Sequence, residues 1–196
     1  MKMIARNAST LAAAILFAAI AVAPAPRLQA QSKMHSTAST RPAQVVDQLL
    51  TKVEQEFVPL AEAMPADKYN FAPTNGNFKG VRTFAEQVKH VTMANYYIFG
   101  AASSIHPEHM PNMKDLKTKA QIMQALKDSF AFSHRAIATL NAQNALEKVK
   151  PVNGIDTRAG IMVFAIIHMN DHFGQMVEYA RMNGIVPPSS RHHGKK

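Results

Sequence analysis

Four stretches of this chain repeat apolar residues every three or four positions, the spacing that puts them on one side of an α-helix. The first, Ala43 to about Ala63, aligns Val46, Leu49, Leu50, Val53, Phe57 and Leu60. Pro42 suits its first turn and Thr40 is the expected cap, while Pro59 is expected to kink or end it locally. The second, Arg82 to Ala102, aligns Phe84, Val88, Val91, Asn95 and Ile98. The third, about Thr118 to Asn141, aligns Ile122, Leu126, Phe130, Ile137 and Leu140. The fourth, Arg158 to about Asn183, is stopped by Gly184 and kept from resuming by Pro187 and Pro188. Between them lie the Pro-, Asn- and Gly-rich loops MPADKYNFAPTNGNFKG and SSIHPEHMPNMKD and a turn around Pro151 to Gly154. No β-branched run alternates, and no hairpin dipeptide is set between apolar segments, so no strand is expected. The expected fold is all-α, an antiparallel four-helix bundle over residues 42–188.

The first thirty residues read as an address. Lys2 and Arg6 precede an almost unbroken apolar run from Ala8 to Ala23, and Leu28-Gln29-Ala30 suits cleavage after Ala30. The run, about 16 residues, is short of the ~20 that span a bilayer, and Pro24 and Pro26 close it. Export to the periplasm or medium is therefore expected, with no stable membrane anchor after cleavage. Residues 31–41 read as a flexible leader and 189–196 as a solvated basic tail.

The chain has no cysteine. That excludes disulfides, thiolate zinc sites, iron–sulfur clusters, a cysteine nucleophile and a lipid-linked cysteine. Any metal must be held by imidazole, carboxylate or carbonyl groups. Without Lys2, Arg6 and Arg27 of the leader peptide, 19 basic residues face 13 acidic ones, a net +6. No dense Lys/Arg cluster falls within a helical stretch, so a nucleic-acid partner is not expected.

The start of the fourth helix, IMVFAIIHM, is apolar all round and demands cover on more than one side. It is expected to be the most central helix or to meet a second copy in a homodimer. His168 and His172 follow four residues apart, stacked on the face that carries Phe164, Ala165, Gln175 and Tyr179. Two imidazoles facing a core need partners, and one divalent cation satisfies both. The HMNDH stretch is not a zinc-protease motif, because the glutamate of H-E-x-x-H is missing. On spacing alone, two hydrogen-bonded structural histidines are the commoner reading of such a pair.

A third ligand has to come from another helix, and periodicity does not choose between His90 and His134. His90 lies away from the Phe84/Val88/Val91 stripe, among the small residues Thr83, Ala94 and Ala101; His134 flanks the Phe130/Ile137 face. Gln87, Asp171, Gln175 and Glu178 are candidates to orient a ligand, and Tyr179 to pack or to meet a substrate. His106 and His109 are candidates for a weaker second site.

Three segments, MPADKYNFAPT, VRTFAEQVKHV and HMNDHFGQMVEYARMNGIVPPSS, resemble the DinB/YfiT-like family of helical bundles. The resemblance implies that His90, midway along the second helix, joins His168 and His172 in holding a divalent metal. Zinc, nickel, iron(II) and manganese all accept such nitrogen ligands. It further implies a metal-dependent hydrolase or thiol transferase acting on a small molecule, though export argues against a cytosolic thiol cofactor. The alternative is a non-catalytic periplasmic protein that the metal fixes or that stores it.

Overall fold

Two threonines start the middle helices in the same way. Thr83 Oγ1 accepts from Glu86 N at 3.2 Å while Glu86 Oε2 accepts from Thr83 N at 2.8 Å. Thr118 and Gln121 repeat the pattern at 3.2 and 3.0 Å. These reciprocal bonds satisfy N–H groups that a helix start leaves without partners. They open α2 (Phe84–Ala102) and α3 (Lys119–Ala138). The flanking helices are α1 (Pro42–Ala63) and α4 (Arg158–Met182). The computed structural model describes residues 41–194, so the expected signal segment and the leader up to Thr40 lie outside it. Among the described residues no helix is long and apolar enough to cross a membrane.

The N-cap of α1 is Arg41, whose N–H donates to Gln44 Oε1, rather than the expected Thr40. Nor does Pro59 end the helix, which continues to Ala63 with Leu60 and Ala61 fully buried. The end of α1 is capped from elsewhere in the chain. Tyr69 Oη donates to Ala61 O at 2.6 Å, and Lys119 Nζ donates to Glu62 O and Met64 O, each at 2.7 Å. A cation on the terminal carbonyls also offsets the negative end of the helix dipole.

Helix α1 packs on α3 and α4, and α2 packs on the same two, so α1 and α2 sit diagonally across the bundle. Bonds between the helices fix their directions. His134 reaches Asp47 while Lys119 reaches Met64, so α1 and α3 are antiparallel. His90 meets His168 while Arg158 Nη1 donates to Ala102 O, so α2 and α4 are antiparallel as well. Lys89 bonds to Leu116, Asn95 to Ser129, and Tyr96 stacks on Phe132, so α2 and α3 run the same way. Segment 103–118 must therefore return along the bundle. Its Pro107 and Pro111 keep it from becoming helix.

The core between these helices is aromatic: Phe57, Phe84, Phe99, Phe130 and Phe132 are fully buried, each stabilising by roughly 1.5–3 kcal/mol relative to exposure. Asn95 and Ser129 are buried among them but satisfied, since Asn95 Nδ2 donates to Ser129 Oγ and Ser129 Oγ to Leu126 O.

Strand is present after all, as a small hairpin before α4. Lys148–Val152 (β1) and Ile155–Thr157 (β2) pair antiparallel, with Val152 opposite Ile155. Asn153 and Gly154 form the turn with φ of 50° and 81°. Positive φ at both central residues is the tight turn that Asn-Gly favours. Its flanks are too polar and too short to announce themselves by alternation. The hairpin rests on α4 at Gly160, where an added Cβ would lie 2.6 Å from Thr157 Oγ1 and 2.9 Å from Ile155 Cγ2. Past α4, Pro188–Gly194 form a 3-10 helix in part of the stretch expected to be a tail.

Candidate metal centre

The α2–α4 seam brings His90, His168 and His172 to one point. His168 Nε2 lies 3.0 Å from His90 Nε2 and 3.2 Å from His172 Nε2. The three form a group of ligand atoms that can hold a metal ion, and among the described residues no second such group occurs. A tetrahedral zinc with bonds of about 2.0–2.1 Å would set its nitrogens roughly 3.3 Å apart, and the two observed spacings, slightly shorter, are compatible with ligands around one cation.

Proton accounting supports the same conclusion. Asp171 accepts from Gln175 Nε2 at 3.0 Å, Gln175 Oε1 accepts from Gln87 Nε2 at 2.8 Å, and Gln87 Oε1 faces His172 Nδ1 at 2.5 Å. A carboxylate can only accept, so both amides are oriented from that end and His172 Nδ1 must carry the proton. The lone pair of His172 Nε2 then points at His168. One proton on His168 Nε2 can serve His172 or His90 but not both. Without a cation, one of the two short contacts leaves lone pair against lone pair or N–H against N–H; a cation accepts all three lone pairs. The donor set therefore fits a divalent metal.

Electrostatics keeps those lone pairs free. Burial, then the positive charge of Arg82 and the neighbouring His168 ring, lowers His90 to about 4. Burial and the two neighbouring imidazoles lower His172 to about 4 as well. His168 is also lowered, by burial, with Asp171 opposing and Arg82 adding. All three are neutral near pH 7. His168 Nδ1 is buried with no partner among the described residues, which give it no counterpart of the support that Gln87 gives His172.

His134, the rival third residue, is elsewhere. Its Nδ1 pairs with Asp47 at 2.6 Å and its Nε2 with Glu54 at 3.0 Å, both on α1. Burial works against its charge, yet the bonds to the two carboxylates outweigh it and the pKa is raised. Of the candidates to orient a ligand, Gln87, Gln175 and Asp171 form the chain just described. Glu178 is exposed on α4, and its side chain makes no hydrogen bond among the described residues. Tyr179 packs: its hydroxyl donates to Arg82 O at 3.2 Å and its ring meets Phe71 edge-on. His106 and His109 part company, the first lining the groove beside the triad and the second a separate hollow against α3.

That groove has a volume of about 910 Å³, with His90 and His168 in its wall together with Tyr97, Met110, Phe164 and the hairpin turn residue Asn153. Sequence reasoning had no access to this wall, because segment 103–118 and the hairpin reach it only through the topology.

The model of the DinB superfamily matches residues 49–176, a span that takes in all three histidines and more than half the chain. The crystal structure of a DinB-like protein, YjoA, from Bacillus subtilis is similar with a TM-score of 0.57 and 15% identity, covering 71% of this chain and 92% of that one. No curated protein matches. The chain belongs to the DinB superfamily.

Proposed function

We propose that this is an exported metalloprotein in which His90, His168 and His172 hold one divalent cation, and that it hydrolyses a small molecule or transfers a group from it. The convergence of three neutral imidazole Nε2 atoms at the wall of a large groove carries the reading. When bound, a cation with three protein ligands keeps positions open and supplies Lewis-acid activation of water or of a substrate oxygen or sulfur. The chain's own residues prepare that chemistry. Gln87 holds His172 in the ligating tautomer, burial keeps the imidazoles unprotonated, and Tyr97, Met110 and Phe164 line the approach. Export rests on the basic start, apolar run and Leu28-Gln29-Ala30 of the first thirty residues.

One observation favours a non-catalytic metal-binding role instead. Glu86 is the one carboxylate lining either cavity beside His90, and it is committed to the N–H of Thr83. Among the described residues no free carboxylate adjoins the groove. Metal-loaded protein assayed against ester, amide and thiol-transfer substrates separates the two. Turnover that disappears on chelation supports the enzyme. Tight metal with no turnover and a large fall in Tm on chelation supports the storage or structural role.

A further inference from the structure

Two cavities meet at His90. One is the apolar groove; the other, about 800 Å³, is bounded by Arg82, Lys89 and Lys114. Met93 lies in both, and segment 103–118 builds a wall of each, with Met110 on the apolar side and Lys114 on the basic one. The His90 imidazole thus stands at the boundary between an apolar and a cationic hollow.

The cationic hollow sets three cations, Arg82, Lys89 and Lys114, against one carboxylate, Glu86. None of Arg82, Lys89 and Lys114 makes an ion pair among the described residues, although Lys52, Lys127, Lys148 and Arg158 do so elsewhere in the fold. Lys89 Nζ is occupied by Leu116 O, and Glu86 by Thr83 N. Arg82 and Lys114 are left facing the cavity. A guanidinium without a carboxylate partner presents a fork of N–H donors that matches a carboxylate, sulfonate or phosphate group. On the other side, Tyr97 is 65% exposed and Met110 53%, large apolar surfaces that water covers at a cost.

We infer that the ligand of this site is an amphipathic organic anion, its charged group against Arg82 and Lys114 and its apolar body in the groove along Tyr97 and Phe164. The two hollows share His90, so a molecule filling both passes the triad. The inference rests on the proposed metal centre for where such a molecule would react, not for how it is held. Arg82 and Tyr97 are then the residues that set specificity, one reading charge and the other the apolar body.

Titration calorimetry with three probes tests this on the full mature chain, both metal-loaded and metal-stripped. Octanesulfonate carries both features, ethanesulfonate only the charge, and octyl methyl sulfone only the chain; a sulfonate is a poor metal ligand. Octanesulfonate is expected to bind about tenfold or more tightly than either of the others. Arg82→Gln combined with Lys114→Gln should bring it down to the level of the sulfone while leaving sulfone binding intact, which also shows that the variant is folded. Tyr97→Ser should weaken both octyl probes and spare ethanesulfonate. Equal binding of octanesulfonate and the sulfone overturns the inference, as does an unchanged double variant. So does a protein that binds no probe and sediments as a dimer with the groove closed. Metal content measured on the same samples keeps the two readings apart. A charge-and-chain preference without metal sinks the centre alone, and metal without the preference sinks this inference alone.

Discussion

Gln87, on α2, accepts the Nδ1 proton of His172, on α4, across the seam between the two helices, and both side chains are buried, at 2% and 5% exposure. A glutamine so deep is tolerated because its other end donates to Gln175, which donates in turn to Asp171. The chain of bonds has a direction, and its product is a bare His172 Nε2.

Gln87→Leu removes that acceptor and is expected to weaken metal binding about 10- to 100-fold, the usual cost of losing a partner behind a histidine ligand. Gln175→Leu leaves Gln87 in place but unoriented, so its loss should be smaller. Competition with a chelator of known affinity checks both; a Gln87→Leu protein that binds metal like the parent contradicts the relay.

The acid response should split by histidine. In metal-free protein, NMR titration of the imidazoles is expected to place His90 and His172 near 4 and His134 above 6.5. For the lowered pair, the unfolded chain takes up protons first, so stability falls as pH drops from about 6.5 towards 4. For His134 the sign is reversed: its contribution is complete below 6.5 and fades as pH rises through its raised folded value. Denaturant melts of metal-free protein should therefore lose stability on acidification. The His134→Asn variant should keep that loss and lack the one on the alkaline side.

Gly160→Ala tests the seat of the hairpin. The new methyl would meet Thr157 Oγ1 and Ile155 Cγ2, and overpacking of this kind costs about 1–3 kcal/mol. Urea melts should show the loss, and Thr157→Ala in the same chain should return part of it. No change in midpoint would mean that the hairpin does not rest on α4 as described.

Much of this was legible in residue spacing. The four helices follow from apolar periodicity, and the pairing of His168 with His172 follows from four-residue spacing on one face. His90 was not legible in that way. A single stripe describes a helix with one buried side, but α2 is buried against both α3 and α4. His90 belongs to its second side, where Gln87 and Ala94 are also buried. The small residues Ala94 and Ala101 marked that side, and resemblance rather than periodicity chose the histidine. The parallel run of α2 and α3 had no local signal, because the relative direction of helices is decided by distant packing. The hairpin did have one, Asn153-Gly154, but Pro151 interrupts the alternation that Lys148-Val149-Lys150 begins, and Ile155–Thr157 is too short to show one.

Elemental analysis of the protein purified without a histidine tag, beside single alanine variants of His90, His134, His168 and His172, bears on the central claim most directly. The expected result is stoichiometric divalent metal in the parent and in His134→Ala, and none in the other three. Metal retained by His90→Ala but lost from His134→Ala, or no metal in the parent after refolding with zinc, nickel, iron(II) or manganese, contradicts it.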